Sequence, residues 1–156
     1  MRSGVRLGVD VGRARVGVAV CDRDGILATP VVTLGRGDTT VADLRALIEE
    51  YAAIEAVVGL PLSMRGDDTA STTDARLLAG ELAAFVEVPV RMVDERLSTV
   101  SAQRALHQSG RTVKGSRPVI DQVAAVIILQ NALDFERSVG RPPGTVVDPT
   151  QGRTSS

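Results

Sequence analysis

The chain has no tryptophan, and its aromatic residues are one tyrosine and two phenylalanines among 156 residues. Its core must therefore be built from Val, Ala, Leu and Ile, and a row of stacked bases on aromatic platforms is excluded as a dominant mode of nucleic-acid binding. There is one cysteine, Cys21, and one histidine, His107. Cys21 has no partner for an internal disulfide, which fits a reducing compartment. A zinc site of Cys and His ligands is out of reach. A Ser-His-Asp or Cys-His mechanism would have to use His107, in "ALHQSGR", a segment that reads as the exposed end of a helix. No apolar run approaches the roughly 20 residues of a membrane helix, and no signal peptide precedes the first strand-like run. A cytoplasmic protein is expected. For an enzyme, carboxylates are the main catalytic groups left.

What is present is a globular composition of one-domain length, with 44% hydrophobic residues and a formal net charge of −1. That balance argues against a simple nucleic-acid coating protein. The charge is uneven, however. Residues 91–117 carry six basic residues against Asp94 and Glu95, whereas residues 38–90 carry ten acids against three arginines. Seventeen of the eighteen basic residues are arginine, the better fork for a phosphate.

Apolar periodicity predicts strands over 5–12, 15–22 and 26–34. Gly12-Arg13-Ala14 forms a hairpin, Asp24-Gly25 a turn, and Pro30 marks an edge strand. Helical spacing follows at 40–52, a short buried strand at 54–61 stopped by Gly59 and Pro61, and a polar loop at 63–72. A helix at 72–86, a strand at 88–94, a helix at 98–110 with Ser98 as its N-cap, a basic loop at 110–116 and a long helix at 118–136 opened by Pro118 complete the order. This is an α/β chain with a mixed sheet, its first three strands antiparallel, and helices on both faces. A domain over 1–137 and a disordered tail over 138–156 are expected, because Pro, Gly, Ser and Thr dominate the end of the chain.

Three acids stand out. Asp10 sits within the first strand, where an unpaired carboxylate costs several kcal/mol to bury; Arg13 and Arg15 in the adjoining hairpin are available as structural partners. Asp94 and Glu95 close the last strand and point to opposite sides, so only one can join a cluster with Asp10. Asp121 lies in the first turn of the last helix, where the helix dipole favours an acid; Ala124, Ala125 and Ile128 mark that helix as packed on the sheet. Carboxylates that converge repel one another unless a divalent cation neutralises them, and oxygen-only ligands suit Mg²⁺ or Mn²⁺. Two such ions support phosphodiester cleavage, and the basic segment around Glu95 would hold the phosphate backbone.

With "LGVDVGRARVGVAV" (7–20), "VVGLPLSMRG" (57–66), "VDERLSTVSAQ" (93–103) and "KGSRPVIDQVAAVIILQ" (114–130), the chain resembles the YqgF/RuvX family of RNase H-like nucleases. "DERLST" with the spaced Asp, Ala-Ala and Ile-Leu of the last helix is the specific part. The resemblance implies an RNase H-like fold with a five-stranded mixed sheet, and it places the catalytic, metal-binding acids at Asp10, Glu95 and Asp121. It also implies maturation of the 5′ end of precursor 16S rRNA, or cutting of Holliday junctions by a homodimer. Arg13, Arg96, Arg104 and Lys114 are the expected contacts to the nucleic-acid backbone. Two other classes stay open: a phosphotransferase of the actin and sugar-kinase type, which needs a second such domain, and a catalytically silent RNA-binding factor.

Overall fold

The computed structural model describes residues 1–97 and 117–149. Two antiparallel hairpins open the fold: β1 (Arg6–Val11), β2 (Arg15–Cys21) and β3 (Ala28–Gly35). The first hairpin closes with the Gly12 N–H donating to the Arg15 carbonyl at 2.9 Å. In the second, the Asp22 carboxylate accepts from the backbone N–H groups of Asp24, Ile26 and Leu27, and Gly25 takes the left-handed φ of 68° that the turn needs. Then come α1 (Thr40–Glu50), β4 (Glu55–Leu60), α2 (Ala70–Phe85), β5 (Val90–Asp94), a single 3₁₀ turn (Glu95–Leu97), α3 (Arg117–Val139) and β6 (Thr145–Val146). Thr69 caps α2 reciprocally with Thr72, so that helix begins slightly earlier than its apolar pattern predicts.

Among the described residues the strands form one six-stranded sheet in the order β3-β2-β1-β4-β5-β6. β1 pairs antiparallel with β2 and parallel with β4, and β4 pairs parallel with β5. β3 lies at the edge, where Pro30 deprives no inner strand of a donor. The expectation of five strands is corrected by β6, which pairs antiparallel with β5 through Arg91–Val146 and Met92–Thr145. Residues 140–147 are therefore not the structureless tail expected from their composition. A two-residue strand is too short to show alternation, although Thr and Val both suit a strand. The predicted helix over 98–110 and the basic loop over 110–116 lie outside the described residues.

Alternation along the strands sends two sets of apolar side chains to opposite faces. Leu7, Val9, Val16, Val18 and Val58 pack under Leu44 and Ile48 of α1 and Leu78 and Leu82 of α2. On the other face Ala19, Cys21 and Val57 meet Ala125, Ile128, Leu129 and Leu133 of α3. Small residues on this second face let α3 lie close. A Cβ at Gly8 would stand 2.7 Å from the Cβ of Leu129.

A buried ionic cluster fastens the lower end of this layer. Glu136 of α3 accepts from Arg2 at 2.7 Å and from Arg6 at 3.3 Å, and Glu55 accepts from Arg2 at 2.9 Å and from Arg91 at 3.0 Å. The hydrogen-bonded guanidinium of Arg2 holds the Glu136 carboxyl down at about 2. These charges are paired and multiply hydrogen-bonded, the condition under which buried ions persist. The start of β1, the start of β4 and the far end of α3 are thereby tied together, and the opposite end of the same layer carries the acids of interest.

Candidate active site

Asp10 lies near the end of β1, on the face that Gly8 turns toward α3, and is 3% exposed. Its cross-strand partner in β2 is Gly17. On the other side β1 and β4 pair Val9 with Val58, so the next residue in register beside Asp10 is Gly59. The buried carboxylate is thus flanked in the sheet by two residues without side chains, and each glycine admits a neighbour. The backbone carbonyl of Asp121 in α3 lies 2.1 Å from where a Cβ on Gly17 would stand. The Glu95 carboxylate oxygen Oε2 lies 2.5 Å from the corresponding point on Gly59. Three acids separated by 85 and 26 positions in the chain are drawn to one end of the β1–α3 layer.

They are not equivalent. Glu95 follows β5 in the 3₁₀ turn and is 4% exposed. Burial pushes its pKa up to about 7, and the charge of Asp94 adds to the effect. Asp94 is turned the other way, as alternation at the strand end requires. It accepts from the Arg96 backbone N–H at 2.9 Å and from the Arg96 guanidinium at 2.6 Å, and these bonds hold it below the usual carboxylate range. Asp121 is a quarter exposed, and its Oδ2 accepts from Arg15 Nε at 3.2 Å. Its backbone is in place while its carboxylate is engaged by the hairpin. Accordingly, among the described residues no three His, Cys, Asp or Glu side chains stand ready to hold a metal ion.

The donor chemistry nevertheless fits a hard divalent cation: three carboxylates, two of them nearly buried, with the single cysteine packed in the core further down the sheet. Completing the set requires the Asp121 side chain to leave Arg15.

The expected backbone contacts divide. Arg96 is exposed at the rim, braced on one side by Asp94 and on the other by the 61–69 loop, where its Nη1 lies 2.9 Å from the Cβ position of Gly66. The "GLPLSMRG" segment thus brings Gly66 beside the Arg96 guanidinium. Arg13, at the hairpin tip, faces the α2 side of the sheet, where the bonds from Arg36 and, to a lesser extent, the charge of Arg13 hold the Asp74 carboxyl below its usual range. Arg104 and Lys114 lie outside the described residues. Gly17 and Gly59 escaped the sequence reading as site residues. A glycine inside an otherwise β-branched strand was the available signal, because it marks close approach of another group.

This sheet, with acids gathered at the end of its first strand, defines the RNase H-like class of α/β proteins. Comparison with known proteins agrees. The family model described as "RuvX: Holliday junction resolvase" matches residues 4–135, and the chain belongs to that family. A Leifsonia xyli protein named "Putative pre-16S rRNA nuclease" is 55% identical over 97% of this chain and 99% of its own length. A Streptomyces coelicolor protein of the same name is 54% identical over 95% of this chain and 90% of its own. Among solved structures, T. thermophilus RuvC in complex with a Holliday junction substrate superposes with a TM-score of 0.54 at 16% identity, covering 90% of this chain and 99% of that one, which speaks to the fold.

Proposed function

We propose that this protein is a divalent-cation-dependent endonuclease that trims the 5′ end of precursor 16S rRNA in the cytoplasm. The observation that carries the reading is the placement of Asp10 between two glycines, with the Glu95 carboxylate over one and the Asp121 backbone over the other. The names of the relatives more than 50% identical to it support RNA as the substrate.

In this reading Asp10, Glu95 and Asp121 would hold Mg²⁺ or Mn²⁺, two ions when the site is full. Such ions generate a water nucleophile near neutral pH and stabilise the leaving oxygen. The chain's own residues do the positioning. Gly17 and Gly59 give α3 and Glu95 access to Asp10. The Asp94–Arg96 bonds fix the turn so that Glu95 points inward. Arg15 parks Asp121 until the site fills. Arg96 contacts the phosphate backbone from the rim, joined by Arg104 and Lys114, while Arg13, on the α2 side of the sheet, meets a part of the backbone away from the cut. The catalytic domain runs past the expected boundary at 137 and takes in β6, which pairs in the same sheet.

A second reading, resolution of four-way DNA junctions, is favoured by the description of the matching family model. It requires a homodimer, because two strands must be cut symmetrically. A silent RNA-binding factor is the weaker reading, since it has no need of desolvated acids such as Asp10 and Glu95.

One panel separates these readings: precursor rRNA 5′ ends, a four-way junction, and linear duplex and single-strand controls, each with Mg²⁺, Mn²⁺ or chelator. Cation-dependent cutting of the rRNA precursor, abolished by Asp10→Asn with binding retained, is the expected result. Preferential cutting of the junction selects the second reading, and full activity in Asp10→Asn removes the acid-site mechanism.

A further inference from the structure

A cavity of about 400 Å³ opens beside the acid site, and Asp94 and Glu95 form part of its wall. Its volume lies within the roughly 300–1,000 Å³ of small-molecule sites. The floor is apolar, from Leu60, Met92 and Val93 on the sheet and Ile128 and Ala132 on α3. Two neutral polar residues, Asn131 and Thr145, also line it. Asn131 Nδ2 donates to the Ile127 carbonyl at 2.9 Å, which orients the amide and leaves its second N–H and its Oδ1 for another group. Phe135, 37% exposed, stands at the rim with the Arg141 guanidinium 5.5 Å from its ring centroid.

The remaining wall is the segment after α3, and it is firmly seated. Gly140 adopts a φ of 88° and its N–H closes the helix on the Glu136 carbonyl. A Cβ on Gly144 would stand 2.1 Å from the Met92 carbonyl oxygen, so only glycine allows this approach. Thr145 then pairs with Met92 in the sheet. These contacts hold Pro143 at the cavity wall and Arg141 over the Phe135 ring.

We propose that this cavity is a subsite for one unpaired nucleobase of the substrate, next to the phosphate that is cut. The inference rests on the nuclease reading of the acid site and extends it to substrate choice. A flat heterocycle matches what the walls offer: an apolar slot, a planar rim made of the Phe135 ring with the Arg141 guanidinium over it, and a side-chain amide able to donate and accept at a base edge. A duplex presents no free base to it, so the subsite selects single-stranded or splayed nucleotides. Arg141 at the mouth meets the phosphate that links that base to its neighbour. The scarcity of aromatic residues fits one pocket for one base better than a stacking platform. The short C-terminal strand thereby gains a role, since without it the cavity has no far wall.

Two measurements test this. In the first, wild-type protein without divalent cation is titrated with the four ribonucleoside 5′-monophosphates while the Asn131 side-chain amide is followed by NMR. Saturable shifts are expected at millimolar concentrations, weakened at least about fivefold by Phe135→Ala. In the second, a single abasic nucleotide is walked along the cleaved substrate. One position beside the cut should lose about tenfold in kcat/KM with wild-type protein and show no such dip with Phe135→Ala or Asn131→Leu. Absence of saturable shifts at Asn131, or an abasic effect that is the same at every position or in all three proteins, overturns the subsite. Shifts at Asn131 in a protein that cuts no nucleic acid remove the nuclease reading and leave the base site standing.

Discussion

Replacing Gly17 by alanine separates a site built by close approach from one built by side-chain chemistry alone. The added methyl would lie 2.1 Å from the Asp121 carbonyl oxygen, 2.4 Å from its carbonyl carbon and 3.0 Å from the Gln122 nitrogen. All three are backbone atoms of α3, so no side chain can swing aside. Moving the oxygen from 2.1 Å to the 3.4 Å of ordinary contact is a retreat of about 1.3 Å for the end of α3 that carries Asp121. The other end is fastened by Glu136 to Arg2 and Arg6, so the helix must tilt off the sheet. Overpacking of this kind costs about 1–3 kcal/mol, and a 1 Å misplacement of a catalytic group costs about 10²-fold in rate. Gly35→Ala is the control, with nothing within 4 Å of the added carbon. Urea unfolding and cleavage kinetics are measured on both variants. Gly17→Ala should lose stability by that amount and cleave about 10²-fold more slowly, while Gly35→Ala stays near wild type. A Gly17→Ala protein with wild-type stability and rate would refute the argument that α3 sets the site by contact at this glycine.

Three further outcomes follow from the same structure. Glu136→Gln should destabilise the fold by about 3 kcal/mol at neutral pH, because it leaves Arg2 and Arg6 short of a buried partner. The folded carboxyl sits at about 2, below its ordinary value of 4.5, so the stabilisation is complete above pH 4.5 and fades as pH falls toward 2; urea curves for the two proteins should converge there. Glu95→Gln should do the opposite in chelator. With a folded pKa of about 7, wild-type Glu95 lowers stability progressively as pH rises from 4.5 to 7, so the variant should melt higher at pH 8 while losing cleavage, and a lower melting temperature at pH 8 would count against it. Thr69→Ala removes the reciprocal cap of α2 and should cost about 1 kcal/mol in thermal or urea unfolding, with cleavage per folded molecule unchanged.

The sequence by itself determined the class of fold, the order of elements and the identity of the acids worth suspecting. Alternation in "RLGVDV" and "RVGVAVC" specifies strands locally, and a carboxylate among valines is conspicuous on chemical grounds alone. The opposite fates of Asp94 and Glu95 were legible too, because a strand end alternates its side chains. What only the tertiary structure decided depends on distance between residues remote in the chain. The proximity of Asp10, Gly17 and Asp121, and of Gly59 and Glu95, is a property of strand register and helix depth, and neither leaves a local pattern. The ionic cluster of Arg2, Arg6, Glu55, Arg91 and Glu136 was invisible for the same reason. So was β6, because Thr145 and Val146 suit a strand but two residues make no pattern, and they become one where β5 offers an edge to pair with. Local composition writes the elements; the burial of glycines against carbonyls and carboxylates, which requires the whole sheet, makes a site of them.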